Sequence, residues 1–290
     1  MAIYAMSDIH GMYEPFIRRI KQLNNLESVK AGKDKLILLG DYIDIGNNSF
    51  KVLKTIYELQ KEVGADNMIV LMGNHDKRFI DFLTNNYDDW ISESENLCMV
   101  KSFISAQQTR ELCYKVHRTE TVFGNTALIA ESLRKYIFQN HHELIKWYIN
   151  LPYYYKTAST IFVHAGIDEE ADDLWEVGTS NEMFIEKYPA ETGYFYMNIV
   201  AGHVSTSSIA KDYNFHDIYY DGQSHFYIDG IDSYMSTVEA ESRSIPVLVC
   251  EENGIDCIYY SLKEDGTKTQ FVNKKSTKGN GGDYERNYRT

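Results

Sequence analysis

Cysteine, basic charge and long apolar runs are all scarce in this sequence. The 290 residues include four cysteines, at 98, 113, 250 and 257, with no Cys-x-x-Cys pair. Cys250 and Cys257 can face each other across a hairpin turned by Glu252-Asn253-Gly254-Ile255. That register makes them a hydrogen-bonded pair, which spaces the two chains poorly for a disulfide. Four reduced thiols are therefore expected, in keeping with a reducing compartment. Lys and Arg number 29 against 42 Asp and Glu, a net charge of −13. This argues against broad, sequence-independent binding to nucleic acid or to an anionic membrane. No apolar stretch approaches the length of a membrane span. Residues 1–6 lack a basic n-region and run straight into a polar block, so they are expected to belong to the fold, with a cytoplasmic location as the default. There is no internal repeat and no linker rich in Pro or Gly.

The remaining composition, 43% apolar, 13% aromatic and 24% charged, is that of a folded protein large enough to bury a sizeable core. The first 80 residues alternate strand and helix. Strands are predicted at 3–6, 36–39 and 68–72. Helices are predicted at about 12–26, with Phe16, Ile17, Ile20 and Leu23 on one face, and at about 49–63, striped by Val52, Leu53, Ile56 and Leu59. A β-α-β-α-β order implies parallel strands with right-handed crossovers. Helical spacing returns at 100–117 and 126–149. From 160 onward short strands are predicted at 161–163, 199–201, 218–220, 226–228, 246–250 and 258–261, forming a second and mostly antiparallel sheet. The expected fold is a four-layer α-β-β-α sandwich of two mixed sheets. Residues 1–264 read as one domain, with about 84–150 as a helical cap insertion and 265–290 as a disordered tail.

Five polar blocks punctuate this pattern: Asp8-Ile9-His10-Gly11, Gly40-Asp41-Tyr42-Ile43-Asp44, Gly73-Asn74-His75-Asp76, His164-Ala165-Gly166 and Gly202-His203. Each follows a short apolar run, so its Asp, His or Asn falls where a strand ends and a loop begins. Side chains gathered at the carboxyl ends of parallel strands converge on one crevice. His, Asp and Asn delivered together to one crevice is the chemistry of a two-metal hydrolase.

These blocks resemble the calcineurin-like metallophosphoesterase superfamily, whose pattern runs D-x-H, G-D-x-x-D, G-N-H-[DE], H-[AG]-G, G-H. The nearest branch is the phosphoprotein phosphatases, including the bacterial symmetrical diadenosine tetraphosphatases. Leu151-Pro152 before a strand and Leu174-Trp175 after it support that branch. The resemblance covers about 1–80 and 150–230. It implies that Asp8, His10 and Asp41 hold one metal and that Asp41, Asn74, His164 and His203 hold a second, with Asp41 bridging. A ligand set of His, Asp and Asn without thiolate suits Mn, Fe or Zn better than Ca. His75 is implied as the general acid and Asp44 as the group that orients its imidazole.

The resemblance has two gaps. The phosphatase branch places a phosphate-gripping Arg after G-D-x-x-D and another after Leu-Trp; here the positions hold Ile45 and Val177. Lys187 is the only cation between His164 and His203. Lys77, Arg78, Arg118 and Arg134 are the candidates to replace the missing grip. The leading expectation is a dimetal phosphoesterase of phosphoprotein phosphatase type acting on a phosphorylated substrate. The alternatives are a nucleotide phosphohydrolase cleaving dinucleoside polyphosphates or a phosphodiester, and a non-catalytic metal-bound scaffold. His141-His142, His216 and His225, and the runs Tyr153-Tyr154-Tyr155 and Tyr219-Tyr220, are expected to be structural or solvated.

Overall fold

The computed structural model describes residues 1–85, 90, 91, 99–105, 107–111, 122–231, 242, 244–253 and 256–272. The first strands form as their apolar runs imply. β1 (Ala2–Met6), β2 (Lys35–Leu38) and β3 (Met68–Val70) lie parallel, with α1 (Tyr13–Gln22) and α2 (Ser49–Val63) in the crossovers. Runs such as Leu36-Ile37-Leu38-Leu39 are fully buried because the sheet is covered on both faces.

Alternation sorts those residues into two layers. Leu36 and Leu38 point outward, to Phe16 and Ile20 of α1 and Val52, Leu53 and Ile56 of α2. Ile3, Ala5, Ile37 and Leu39 point inward, against Phe162, Val200 and Phe226 of a second sheet. That sheet has the order β4-β5-β6-β8-β7, from β4 (Tyr154–Lys156), β5 (Thr160–Val163), β6 (Asn198–Ala201), β7 (Tyr219–Tyr220) and β8 (His225–Tyr227). On its outer side, Ile161 and Val163 share a core with Trp175, Phe184 and Ile185. The result is the four-layer sandwich. Each fully buried Leu, Ile or Phe contributes about 1.5–3 kcal/mol.

Three expectations need correction. First, the second sheet is not mostly antiparallel: β5, β6 and β8 run parallel and only the edge strands β4 and β7 are reversed. The strands expected at 246–250 and 258–261 leave that sheet altogether. As β9 (Leu248–Asn253) and β10 (Asp256–Leu262) they form a hairpin that pairs antiparallel with β1, giving a first sheet of order β11-β10-β9-β1-β2-β3. Local periodicity identifies a strand but not its partner; β1 had one unpaired edge, and Leu248 and Cys250 extend its inner apolar face.

Second, Cys250 and Cys257 are joined in a disulfide with Cα atoms 5.9 Å apart. The hairpin closes at Asn253 and Asp256, so Cys250 stands opposite Tyr259 and Cys257 opposite Glu252. This register places the two cysteines diagonally on one face, not directly opposite, within normal bridging range. Cys98 and Cys113 lie outside the described residues. Third, β11 (Lys268–Gln270) pairs with β10 inside the stretch expected to be a disordered tail, so ordered structure runs past 265.

α3 (Asn74–Thr84) leaves β3, and the long α4 (Val122–Ile149) packs on α2 and α3, broken at His141. Trp147 of α4 lies 5.3 Å from the Tyr57 ring and donates to Gln60 at 2.6 Å. The described part of the expected cap is thus built into the outer helical layer. The helix expected at 100–117 falls partly outside the described residues. His141 is not on a solvated face: its ring sits 4.6 Å from Phe50, beside Phe103, whereas His142 is exposed. No described helix is long and apolar enough to cross a membrane.

Candidate functional site

All five polar blocks sit just beyond the carboxyl ends of strands. Asp8 and His10 follow β1, Asp41 and Asp44 follow β2, and Asn74 and His75 follow β3. His164 follows β5 and His203 follows β6, so the second sheet contributes from across the sandwich. Backbone hydrogen bonds weld the loops together: Asp8 N to Gly40 O at 3.1 Å, His10 N to Asp41 O at 2.9 Å, and Gly202 N to His164 O at 2.7 Å.

The loops adopt conformations that side chains normally avoid. Asp8, His10, Asp41, Asp44, Ile45 and His203 all have positive φ, between 45° and 71°. Such residues cost about 1–3 kcal/mol each and cluster where the surroundings hold a functional geometry. Gly73 makes the close approach possible, because a Cβ there would collide with the Asp41 carboxylate and amide.

Asp41 lies at the centre of two groups of donor atoms, His10/Asp41/His75 and Asp41/His164/His203, each within 4.8 Å. Asp41 Oδ2 is 3.7 Å from His10 Nε2 and 3.4 Å from His164 Nε2. Asp8 Oδ1 stands 3.8 Å from His10 Nε2. Asn74 Oδ1 lies 3.0 Å from His164 Nε2 and 3.2 Å from His203 Nδ1. Every residue expected to hold a metal is therefore in one cluster, and all but His203 are buried.

The donor set fits two metal ions. His10 Nδ1 donates to Ile43 O at 2.8 Å and His164 Nδ1 to Leu39 O at 3.2 Å, which leaves both Nε2 lone pairs facing the cluster. Backbone-fixed tautomers of this kind are the usual support of metal-ligating histidines.

His75 opens α3 and is the partly exposed member of the first group, its side chain 29% accessible. Its Nδ1 is 2.6 Å from Asp44 Oδ2, and its backbone N–H donates to Asp41 Oδ1 at 3.0 Å. Burial works against its positive charge, but Asp41 and the Asp44 bond outweigh burial and hold the imidazole pKa up at about 9. Burial, reinforced by the charge of His164, pushes His203 down to about 4.

Asp76 has a part that the sequence reading left unassigned. Its Oδ2 accepts from Asp41 N at 2.7 Å and Gly73 N at 3.0 Å; its Oδ1 accepts from Tyr42 N at 3.1 Å and Tyr148 Oη at 2.5 Å. The carboxylate is fully buried, and burial followed by the Asp41 charge pushes its pKa up to about 7. An acidic residue at the third position of a helix that opens at Gly73 is the sequence signal that marks it.

The two missing arginines are not compensated at their own positions. Ile45 packs with Met12 and Ile231, and Val177 is 82% exposed on the short helix Trp175–Gly178. Among the candidate cations, Lys77 is paired with Asp81, Arg134 lies 5.4 Å over the Phe82 ring, and Arg118 is outside the described residues. Lys187 bonds to Ile167 O and Glu191. Arg78 pairs with Glu186 at 3.1 Å, and its charge bears on both His75 and His203. His225 is buried between Asp221 and Glu169, Tyr154 stacks on Phe184 at 5.1 Å and Tyr220 on Phe226 at 4.3 Å, all structural roles.

The family model for calcineurin-like phosphoesterases matches residues 1–260. The symmetrical bis(5'-nucleosyl)-tetraphosphatase of Chromobacterium violaceum is 41% identical over 76 residues, 26% of this chain and 24% of that protein. Its counterpart from Buchnera aphidicola subsp. Schizaphis graminum is 32% identical over 108 residues, 34% of this chain and 36% of that protein. The matches thus span about a quarter to a third of those relatives' length. A solved cold-active protein tyrosine phosphatase shares the fold, with a TM-score of 0.55 at 17% identity over 93% of this chain and 78% of that one. With a family match across most of its length and the family's polar blocks at its strand ends, this chain belongs to the calcineurin-like phosphoesterase family.

Proposed function

We propose that the protein hydrolyses phosphate esters with two bound metal ions, Asp8, His10 and Asp41 holding one and Asp41, Asn74, His164 and His203 the other. The observation that carries this reading is the position of Asp41, shared between two donor groups with the His75–Asp44 pair beside it. Metal ions in this site would supply a nucleophile at neutral pH and neutralise charge on the phosphoryl group. A carboxylate at Asp41 suits the shared position, because one anionic group serves two cations. Asn74 adds a neutral oxygen and limits the negative charge of the shell. The absence of thiolate in the set favours Mn, Fe or Zn.

The proton transfer belongs to His75. Asp44 accepts Nδ1–H at 2.6 Å, which leaves Nε2–H on the side of the cluster, 4.0 Å from Asp41 Oδ2, and raises the basicity of the ring. From the partly exposed end of the cluster, Nε2 donates its proton to the departing ester oxygen as the P–O bond breaks. Water then restores the proton. Such general acid catalysis is worth about 10²–10⁴-fold.

The favoured substrate is a phosphomonoester. Cleavage of a dinucleoside polyphosphate is the second reading, supported by the similarity to symmetrical bis(5'-nucleosyl)-tetraphosphatases. The test is elemental analysis of protein purified without chelators, followed by turnover of p-nitrophenyl phosphate, a phosphopeptide, bis(p-nitrophenyl) phosphate and diadenosine tetraphosphate. Two metals per chain and turnover that His75→Ala abolishes are expected. Two bound metals with no turnover on any of the four would leave a binding scaffold and overturn both catalytic readings.

A further inference from the structure

Arg78 lies one helical turn beyond His75 on α3, and residues three apart share a helix face. Its guanidinium reaches Glu186 at the end of the short helix Asn181–Glu186, with Nη2 3.1 Å from Oε1. That helix is fastened to the metal-ligand loop: Ala165 N donates to Phe184 O at 2.8 Å, and Lys187 bonds to Ile167 O. Glu186 is therefore held at a fixed place beside the His164 block. The Arg78–Glu186 pair bridges the loop from the first sheet and the loop from the second. Both side chains are about half exposed, 49% and 47%, so an incoming anion has access to the pair.

Among the described residues, the nearest rival cations are engaged elsewhere. Lys77 bonds both oxygens of Asp81, one turn along α3, at 2.5 and 2.6 Å. Lys187 is committed to Ile167 O and Glu191, with Glu169 3.8 Å away. The sites where an arginine fork would be expected hold Ile45, packed between Met12 and Ile231, and exposed Val177.

We propose that Arg78 grips the phosphoryl group of the substrate, and that Glu186 occupies its fork as an internal stand-in anion which the substrate displaces. The inference rests on the phosphoesterase reading above and narrows its substrate class. A guanidinium fork pairs with two oxygens of one group. A terminal phosphoryl dianion offers two free oxygens and two charges to that fork in addition to the oxygen facing the metals. A diester offers a single charge. Arg78 therefore selects monoesters over diesters.

Calorimetric binding of inorganic phosphate to the manganese-loaded protein reads the grip without catalysis. Steady-state turnover of p-nitrophenyl phosphate and bis(p-nitrophenyl) phosphate reads the selectivity. Arg78→Ala is expected to weaken phosphate binding about ten- to hundredfold, with the monoester KM rising in parallel and the diester KM little changed. Arg78→Lys keeps the charge without the fork and restores part of the loss. Glu186→Gln removes the competing anion and tightens phosphate about two- to fivefold, an effect that vanishes when Arg78→Ala is also present.

Metal content and melting temperature, followed in every variant, separate a lost grip from a lost fold. If the wild type binds and turns over phosphate compounds while Arg78→Ala binds phosphate equally well, the Arg78 assignment is overturned and the phosphoesterase reading stands. If the manganese-loaded wild type neither binds phosphate nor turns over any ester, the reading fails and the Arg78 assignment falls with it.

Discussion

The Tyr148 hydroxyl donates to Oδ1 of Asp76 across 2.5 Å, joining residues 72 positions apart. Through that bond α4 braces the carboxylate that holds the amides of Asp41, Tyr42 and Gly73. The centre of the candidate metal site is therefore supported from a segment outside the five polar blocks.

Asp76→Asn tests that support. An amide can accept on one oxygen but turns an NH₂ group toward N–H donors that have lost their acceptor. Leaving buried groups unsatisfied costs about 1–3 kcal/mol each, so the variant is expected to lose about 2–4 kcal/mol and to bind metal more weakly. Tyr148→Phe keeps all three backbone donors paired and should lose only about 1 kcal/mol. Urea midpoints and metal titrations check the order; equal losses in the two variants would contradict it.

His75→Asn separates proton transfer from metal binding. Turnover is expected to fall about 10²–10⁴-fold while metal content stays near that of the wild type. Asp44→Asn should show a smaller loss, since it removes the orienting acceptor and leaves the imidazole in place. A His75 variant that loses its metals along with its activity would place the residue among the ligands instead.

Gly73→Ala probes the close approach of two loops. A Cβ at Gly73 meets the Asp41 carboxylate and backbone, neither of which can move without shifting the candidate bridging group. The variant is expected to fold with intact sheets, read by far-ultraviolet circular dichroism, and to retain less than the full complement of two metals. Full metal retention would show that the Asp41 loop yields.

His225 predicts a pH dependence from a residue outside the candidate ligand set. Its Nδ1 lies 3.1 Å from Asp221 and its Nε2 3.0 Å from Glu169. Burial disfavours the charged ring, but the bonds to Asp221 and Glu169 prevail and raise its pKa to about 9. The folded value lies above the unfolded one, so the stabilisation is whole below about pH 6.5 and is lost as pH rises toward 9. It amounts to at most about 3 kcal/mol. Asp221, held down to about 2 despite its own burial, is the same interaction seen from the other partner and sets the acid limit, with loss as pH falls below about 4. Urea midpoints from about pH 6 to about pH 10 should decline less steeply in His225→Gln than in the wild type. Parallel profiles would exclude His225 as the source.

The candidate ligands are readable from sequence because each belongs to a short Gly-containing block at the end of an apolar run, a local pattern that needs no knowledge of pairing. His164 and His203 were readable for the same reason, although the sheet that carries them is separate. What could not be read was non-local. The strands at 246–250 and 258–261 were recognised, yet their attachment to β1 depends on which edge lay open. A hairpin register differing from the expected one converted a poorly spaced cysteine pair into a bridge. Asp76 and Tyr148 reveal their relationship only when α4 is laid against α3, and Arg78 meets Glu186 across 108 positions of chain.

The candidate ligands come from both halves of the sandwich: Asp8, His10, Asp41 and Asn74 from loops of the first sheet, His164 and His203 from loops of the second. Metal held in such a site would act as a rivet between the layers as well as a reagent. Any excursion that parts the sheets must break coordination bonds, so loading should slow amide exchange in β5 and β6 as much as in β1 and β2, and chelation should soften the apolar seam of Ile37, Phe162 and Val200 that lies between them.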